Sequence, residues 1–151
     1  MNNKNIEVKL MTKEDIDFVV YANKEVHDAS NQTGEIIEFK ERLIKDILSN
    51  DPKAYVIVAH DGNVPVGMAL YSTIYFADEG QIMWLSNIFV KKEYRNNKVA
   101  KIMIAYLKSI CKDKCYYAIC GAVENDNELS KVFLNSLNSH WLNKFNMVVI
   151  K

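Results

Sequence analysis

Residues 98–112 carry apolar side chains at the spacing of one helix face, and this feature restricts the fold more than any other in the sequence. The positions i, i+3, i+4, i+7, i+8 and i+11 are occupied by Val99, Ile102, Met103, Tyr106, Leu107 and Ile110. Apolar segments of strand type stand on both sides of this helix, at Gln81–Val90 and at Cys115–Val123. A strand, a helix and a second strand in this order form a crossover between parallel strands. We therefore expect the chemistry of the protein at this crossover.

The amino-terminal part of the chain is predicted to form one strand and two helices. Residues Ile6–Met11 alternate apolar and polar side chains, which is typical of a strand with one buried face. Thr12 followed by Asp15 resembles a capping box, so the first helix is expected directly after the strand. Turn-forming residues follow at Asp28–Gly34, and the apolar spacing beyond them predicts a second helix that stops at Asn50–Pro52.

Three consecutive strands are predicted in the middle of the chain. The segments Ala54–Ala59 and Val64–Phe76 flank a hairpin signal at residues 61–63, and a turn at residues 78–80 leads into the strand at residues 81–90. These strands form an antiparallel meander. Gly67 interrupts the second of them, and an isolated glycine in a strand often marks a bulge or the close approach of another backbone.

The carboxyl-terminal part completes the predicted sheet. Cys115–Val123 is a continuous apolar run, which favours a central strand covered on both faces, and a short helix through Leu137 follows a polar turn. Phe145–Ile150 is predicted to be the last strand, paired either within the chain or with a neighbouring copy, so monomer and homodimer both remain open. The prediction is one domain over residues 1–151, of the mixed α/β (α+β) class, with a mostly antiparallel sheet of about six strands and helices on both faces.

Composition excludes several classes of function. The 19 basic residues balance 19 acidic residues, so no large field attracts the protein to DNA or to an anionic membrane. The amino terminus has no apolar signal region, and no apolar run approaches the roughly 20 residues that span a bilayer. We therefore expect a cytoplasmic protein. The three cysteines and three histidines show no metal-ligand spacing, and no metal is expected.

A polar loop, Lys91–Asn97, joins the apolar strand to the helix at residues 98–112. Backbone N–H groups at a helix amino terminus, together with the helix dipole, bind anions such as a pyrophosphate. Arg95, Lys98 and Lys101 would add positive charge. Taken alone, the loop is more often an ordinary connection with solvated lysines, so the interpretation depends on the order of the surrounding elements.

The sequence Arg95-Asn96-Asn97-Lys98-Val99-Ala100 resembles the acetyl-CoA-binding motif of the GNAT superfamily of N-acetyltransferases. In that motif, Arg or Gln is followed by two variable residues, Gly, one variable residue, and Gly or Ala. The resemblance extends in order and spacing over nearly the whole chain. It implies a GNAT fold in which strands four and five splay apart. It also implies that acetyl-CoA, as cosubstrate, lies in the opening and that an amine is the acceptor.

The resemblance also implies the residues of the site. The cofactor-binding residues would be Ile88, Phe89, Val90, Arg95, Asn96, Asn97, Lys98, Val99, Ala100, Lys101, Asn127 and Phe133. A bulge at Ser86 and Asn87 would direct a backbone N–H at the thioester carbonyl, and the pantetheine would pair with the strand at residues 88–90. Glu124 is the best-placed carboxylate for a general base, acting directly or through water, although a solvated loop acid is the competing interpretation.

Three positions depart from the family pattern. The central glycine of the loop is Lys98, the tyrosine that protonates the departing thiolate is Leu134, and Asn138 stands where a glycine usually closes the last helix. A lysine tolerates positive φ poorly, and a leucine donates no proton. These departures motivate an alternative hypothesis, a catalytically inactive GNAT-fold protein that serves as a protein-binding or acyl-CoA-sensing module.

Overall fold

The structure is a computed structural model that describes residues 5–29, 39–123 and 126–141. The strands and helices are β1 Ile6–Leu10, α1 Ile16–Ala29, α2 Phe39–Asp46, β2 Tyr55–Asp61, β3 Val64–Phe76, β4 Gly80–Val90, α3 Val99–Asp113, β5 Ile119–Gly121 and α4 Glu128–Asn135. Short 3-10 turns at Lys13–Asp15 and Lys92–Tyr94 precede α1 and α3. The predicted last strand at Phe145–Ile150, and most of the predicted turn at Asp28–Gly34, lie outside the described residues.

The described strands form one sheet in the order β1-β2-β3-β4-β5. The first three pairings are antiparallel, and β4 and β5 are parallel. The chain passes from β4 to β5 through α3, as the sequence predicted. The expected mixed, mostly antiparallel sheet is therefore confirmed, with five of about six predicted strands in the described part of the chain.

Helices cover both faces of the sheet. On one face Met103 and Leu107 of α3 pack in a core with alternate strand residues such as Ile57. On the other face residues of α1 and α2 pack with the intervening residues; Val19 and Val58 are examples. We call these the α3 face and the α1 face. The central strands β2 and β3 are buried on both sides, which explains their long apolar runs.

Gly67 allows α3 to lie close to the sheet, as the isolated glycine indicated. A Cβ atom at this position would lie 3.1 Å from the carbonyl oxygen of Phe89, 3.2 Å from the Cε of Met103 and 3.3 Å from the Cγ1 of Val99. All three contacts are tighter than ordinary van der Waals distances. The glycine therefore sets how deeply the first turn of α3 is seated against β3 and β4.

The predicted fifth strand, Cys115–Val123, is wrong in extent. The structure forms a strand only at Ile119–Gly121, and among the described residues this strand pairs with β4. Cys115 has φ 56°, which is left-handed and ends the helical region, and the N–H of Tyr116 donates to the carbonyl of Cys111 in the last turn of α3. The first residues of the apolar run thus close the helix instead of starting the strand. The second helix also ends early, at Asp46.

Candidate active site

Strands β4 and β5 are paired over only three positions. The last pair joins Leu85 to Gly121, where the described β5 ends. Strand β4 continues to Val90 and remains paired with β3 on its other side. From residue 86 onward the edge of β4 facing β5 has no strand partner among the described residues. This is the opening that the sequence predicted between strands four and five.

A bulge lies where the two strands part. Tyr71 of β3 is opposite Leu85, and Leu70 is opposite Asn87, so Ser86 is an extra residue with no partner on β3. The side chain of Ser86 is exposed. Since a bulge leaves its extra residue outside the ladder, the backbone groups of Ser86 are not used in the pairing with β3 and are available to the opening. The bulge predicted at these two residues is present.

Beyond the bulge, side chains of β4 point alternately to the two faces of the sheet. Ile88 and Val90 pack against the core of the α3 face, whereas Phe89 is 7% exposed and packs in the core of the α1 face. Tyr21 of α1 meets the Phe89 ring edge-on, with ring centroids 5.9 Å apart. These three predicted cofactor-binding residues therefore offer their backbone edge to the opening, while their side chains hold the strand in place.

Asn87 also lies on the α1 face, and its side chain is tied to α1. Its Nδ2 atom donates a hydrogen bond to Oδ1 of Asn23 over 2.7 Å. Residue 23 received no functional role from the sequence, because it is separated from residue 87 by 64 positions and no local pattern connects the two. It is the site contact that sequence reasoning missed.

The loop between β4 and α3 turns back on the strand that it follows. Nε of Arg95 donates to the carbonyl of Val90 over 3.1 Å, and its side chain is exposed. Asn96 and Asn97 are exposed, and Asn96 has φ 64°. Arg95 is thus anchored at the end of β4, at the mouth of the opening.

Lys98, which stands at the family's glycine position, has a left-handed backbone conformation that favours glycine. It is the N-cap of α3, with φ 62° and ψ 5°, and its carbonyl accepts from the N–H of Ile102 over 3.0 Å. The N–H groups of residues 99–101 precede this first helical bond and so have no acceptor within the helix. Val99 is 1% exposed, whereas Lys98 and Lys101 are exposed. Ala100 is half-buried.

Helix α4 follows β5 in the chain. Asn127 caps it, because its Oδ1 atom accepts from the N–H of Ser130 over 3.0 Å. Phe133 is half-buried and packs against the core of the α3 face. A groove of about 360 Å³ lies between Ala29 at the end of α1 and residues 126–129. Glu124, the predicted general base, lies outside the described residues.

Two further findings concern what the described residues contain. No group of three or more His, Cys, Asp or Glu side chains within residues 5–29, 39–123 and 126–141 is arranged to hold a metal ion. No helix in the same part of the chain combines the length and the apolar character needed to span a bilayer.

Comparison with known proteins agrees with the resemblance inferred from the sequence. The model of the acetyltransferase (GNAT) family matches residues 20–136. A curated thialysine N-ε-acetyltransferase from Caenorhabditis elegans is 22% identical over 111 residues, which are 74% of this chain and 68% of the relative. The chain belongs to the GNAT acetyltransferase family, and the protein is an enzyme of acyl transfer.

Solved structures with the same fold include two informative examples. A possible acetyltransferase from Clostridium difficile 630 superposes with a TM-score of 0.83 at 21% identity, with 97% of each chain covered. AAC(6')-Iy in complex with the bisubstrate analogue CoA-S-monomethyl-acetylneamine gives a TM-score of 0.76 at 15% identity, covering 97% of this chain and 99% of that one. At these identities the likeness establishes the fold, and the predicted GNAT fold is confirmed.

Proposed function

We propose that this protein transfers an acetyl group from acetyl-CoA to the nitrogen of an amine by direct attack, without an acyl-enzyme. The observation that carries the proposal is the continuous path along β4, from the bulge at Ser86 past the unpaired edge to the left-handed Lys98 at the start of α3. A thioester, a pantetheine amide chain and a pyrophosphate need these three environments in this order.

The cofactor would bind mainly through backbone groups. The pantetheine would pair with the free edge of residues 88–90 as an added strand does, and the pyrophosphate would accept from the N–H groups of residues 99–101. The exposed Lys98, Lys101 and Arg95 side chains would supply countercharge. Because Lys98 has the φ of a glycine in this position, its backbone leaves the phosphate cradle open. This observation weakens the main argument for an inactive module.

In the reaction, the lone pair of a neutral amine attacks the thioester carbonyl carbon, and the carbonyl oxygen becomes an oxyanion. A backbone N–H of residue 86 or 87 would donate to that oxygen. Collapse of the intermediate breaks the C–S bond, the thiolate takes a proton, and the amine nitrogen loses one. Glu124 remains the predicted acceptor of the amine proton. Leu134 cannot supply the proton to the thiolate, so we expect that proton to come from another group or from solvent.

The amine would enter from the α1 face. The groove between Ala29 and residues 126–129 begins at the end of α1 and is lined in part by Asp126 and Glu128. The names of the related thialysine N-ε-acetyltransferase and of an aminoglycoside N-acetyltransferase both describe amine acceptors. These relatives support the amine class, and the acceptor of this protein is to be found by screening.

Two measurements test the proposal. Acetyl-CoA at 100 times its Kd stabilises the folded state by about 2.7 kcal/mol, which raises the Tm of a domain of this size by roughly 5–10 °C. CoA release, corrected for hydrolysis, is then measured with a panel of amines. Amine-dependent release supports the proposal. Binding without release from any amine would favour the acyl-CoA-sensing module, and a Tm unchanged at millimolar acetyl-CoA would overturn the cofactor site itself.

A further inference from the structure

The hydrogen bond between Asn87 and Asn23 joins the bulge of β4 to the middle of α1. It measures 2.7 Å, and both side chains are partly buried. Asn87 is the first residue after the extra residue Ser86, and it is the first bulge residue to regain a partner on β3. The bond therefore holds the strand at the point where its register shifts.

The bulge has support on one side only. On the β3 side Leu70 is opposite Asn87, but on the β5 side the last described pair is at residue 85. A bulge locally disrupts the ladder, and its position can slip along a strand whose other edge is free. A side-chain bond from a packed helix prevents this slip.

We propose that Asn23 is a positioning residue: through Asn87 it fixes the bulge so that a backbone N–H of residue 86 or 87 stays directed at the thioester carbonyl. This inference rests on the proposed function, since it assumes a thioester in the opening. Asn23 touches neither the cofactor nor the reacting atoms. It acts only through the strand that donates the hydrogen bond.

Other contacts already hold α1 on the sheet. Phe18, Val19 and Ala22 of α1 are buried in the core of the α1 face, and Tyr21 and Phe18 both contact the ring of Phe89. These apolar contacts fix residue 89, two positions beyond the bulge. In the described part of the chain, the amide pair is the hydrogen bond that joins α1 to the bulge itself. Its loss should therefore disturb the bulge more than the fold.

The expected effect is on turnover and not on cofactor affinity. Misdirecting one oxyanion donor, or displacing it by about 1 Å, typically lowers rates by roughly a hundredfold. We expect Asn23→Leu, which keeps the number of side-chain heavy atoms and removes the hydrogen bond, to lower kcat by about ten- to a hundredfold. The KM for acetyl-CoA should stay within about twofold, because the phosphate cradle at α3 is untouched.

Two variants serve as controls. Asn23→Asp keeps an acceptor oxygen for Nδ2 of Asn87 and should retain kcat within about fivefold. Lys40→Ala removes another 2.7 Å tether of α1, the bond from Lys40 Nζ to Asp17 Oδ1, which joins α1 to α2 away from the bulge. It should leave kcat unchanged. Should Asn23→Leu fail to fold, Asn23→Ala replaces it, since alanine is accepted at any helix position.

A second readout does not depend on finding the acceptor. Backbone amide NMR with CoA and with acetyl-CoA should show a shift at residue 86 or 87 that occurs only with the thioester, and shifts at residues 99–101 with both ligands. In Asn23→Leu the thioester-specific shift should be lost, while the shifts at residues 99–101 remain. Loss of all shifts in the wild-type protein would be a failure of the proposed function, not of this inference.

The inference is overturned by any of three results. The first is a wild-type kcat, or an intact thioester-specific shift, in Asn23→Leu. The second is an equal loss of kcat in Asn23→Leu and Asn23→Asp, which would mean that the asparagine matters for reasons other than the hydrogen bond. The third is a KM for acetyl-CoA that rises as much as kcat falls, which would indicate general damage to the cofactor site.

Discussion

A Cβ atom on Gly121 would lie 2.8 Å from the carbonyl oxygen of Leu85, so these two residues approach more closely than any side chain at position 121 would allow. They form the last pair of β4 and β5 before the opening. The absence of a side chain at residue 121 therefore allows β4 and β5 to stay paired as far as this residue.

Substituting Gly121→Ala should move β5 away from β4, because the contact is with backbone that cannot rotate aside. Overpacking of this kind costs about 1–3 kcal/mol, and we expect a lower Tm together with reduced turnover. Thermal unfolding and CoA release measure the two effects. The neighbouring Cys120→Ala, which adds no atoms, should lower turnover far less. An unchanged Tm in Gly121→Ala would show that β5 can relax freely at this position.

Lys98→Gly should stabilise the protein slightly. A left-handed conformation costs a residue with a side chain about 1–2 kcal/mol, and glycine does not bear this cost. Glycine also makes the unfolded chain more flexible, which lowers the stability by about 0.5–1 kcal/mol and offsets part of the gain. The net gain should be between a few tenths and about 1 kcal/mol by denaturant unfolding. Lys98→Ala is the matched control, because it removes the same charge but keeps the strain.

The two Lys98 variants also test the cofactor cradle. If backbone N–H groups bind the pyrophosphate, Lys98→Gly and Lys98→Ala should weaken acetyl-CoA binding by the same small factor, because each variant loses one exposed positive charge. A tenfold gain of affinity in the glycine variant alone would mean that the lysine obstructs the site. Such a gain would revive the inactive-module hypothesis for the wild-type protein.

The sequence predicted those parts of the structure that depend on local pattern. Helix α3 and the hairpin of β2 and β3 follow from apolar periodicity and from Gly62, whose φ is 61°. The start of β5 could not be predicted in this way. An apolar run has the same pattern whether Tyr116 begins a strand or, as the structure shows, donates a hydrogen bond to the last turn of a helix. The φ of Lys98 was also unpredictable, since its intrinsic preference opposes the conformation that the loop imposes.

Of the site, the resemblance to the GNAT family implied the bulge at Ser86 and Asn87, which the structure contains, but not what holds it in place. The Asn23–Asn87 bond and the close approach at Gly121 join residues that are far apart in the chain. Such contacts exist only after the sheet has formed, so no spacing rule predicts them. Positions that look neutral in the sequence can thus determine the geometry of the opening.

Arg95→Glu should weaken acetyl-CoA binding by about tenfold or more. The substitution removes the hydrogen bond from Nε to the carbonyl of Val90 and places a negative charge beside the proposed pyrophosphate. Acetyl-CoA titration by calorimetry or by the shift in Tm gives the measurement. Lys92→Glu reverses an exposed charge in the same loop and should change affinity by less than about threefold at physiological salt. Equal losses in both variants would indicate general electrostatic attraction without a defined site.

The buried pair of Asp15 and His60 should make stability sensitive to acid. Nε2 of His60 donates to Oδ1 of Asp15 over 2.8 Å, and the two residues are 6% and 3% exposed respectively. Burial alone would raise the pKa of Asp15, but the Thr12 backbone N–H, the His60 bond and the Thr12 hydroxyl together hold the pKa below its usual value.

Because folding lowers the pKa of Asp15, the ionised carboxylate stabilises the folded state. This stabilisation is fully present at pH values above the pKa that Asp15 has in the unfolded chain. It is lost as the pH falls through the lower pKa that Asp15 has in the folded state. Asp15→Asn removes the ionised partner of His60 and should lower the free energy of unfolding by about 2–4 kcal/mol at pH 7. The difference from the wild-type protein should shrink as the pH falls below about 4, because the carboxylate of the unfolded chain takes up a proton there while the folded carboxylate stays ionised to lower pH. Urea unfolding of both proteins between pH 7 and pH 3 measures this difference. A gap that stays constant over this range would mean that Asp15 stabilises the fold through the shape of its hydrogen bonds and not through its charge.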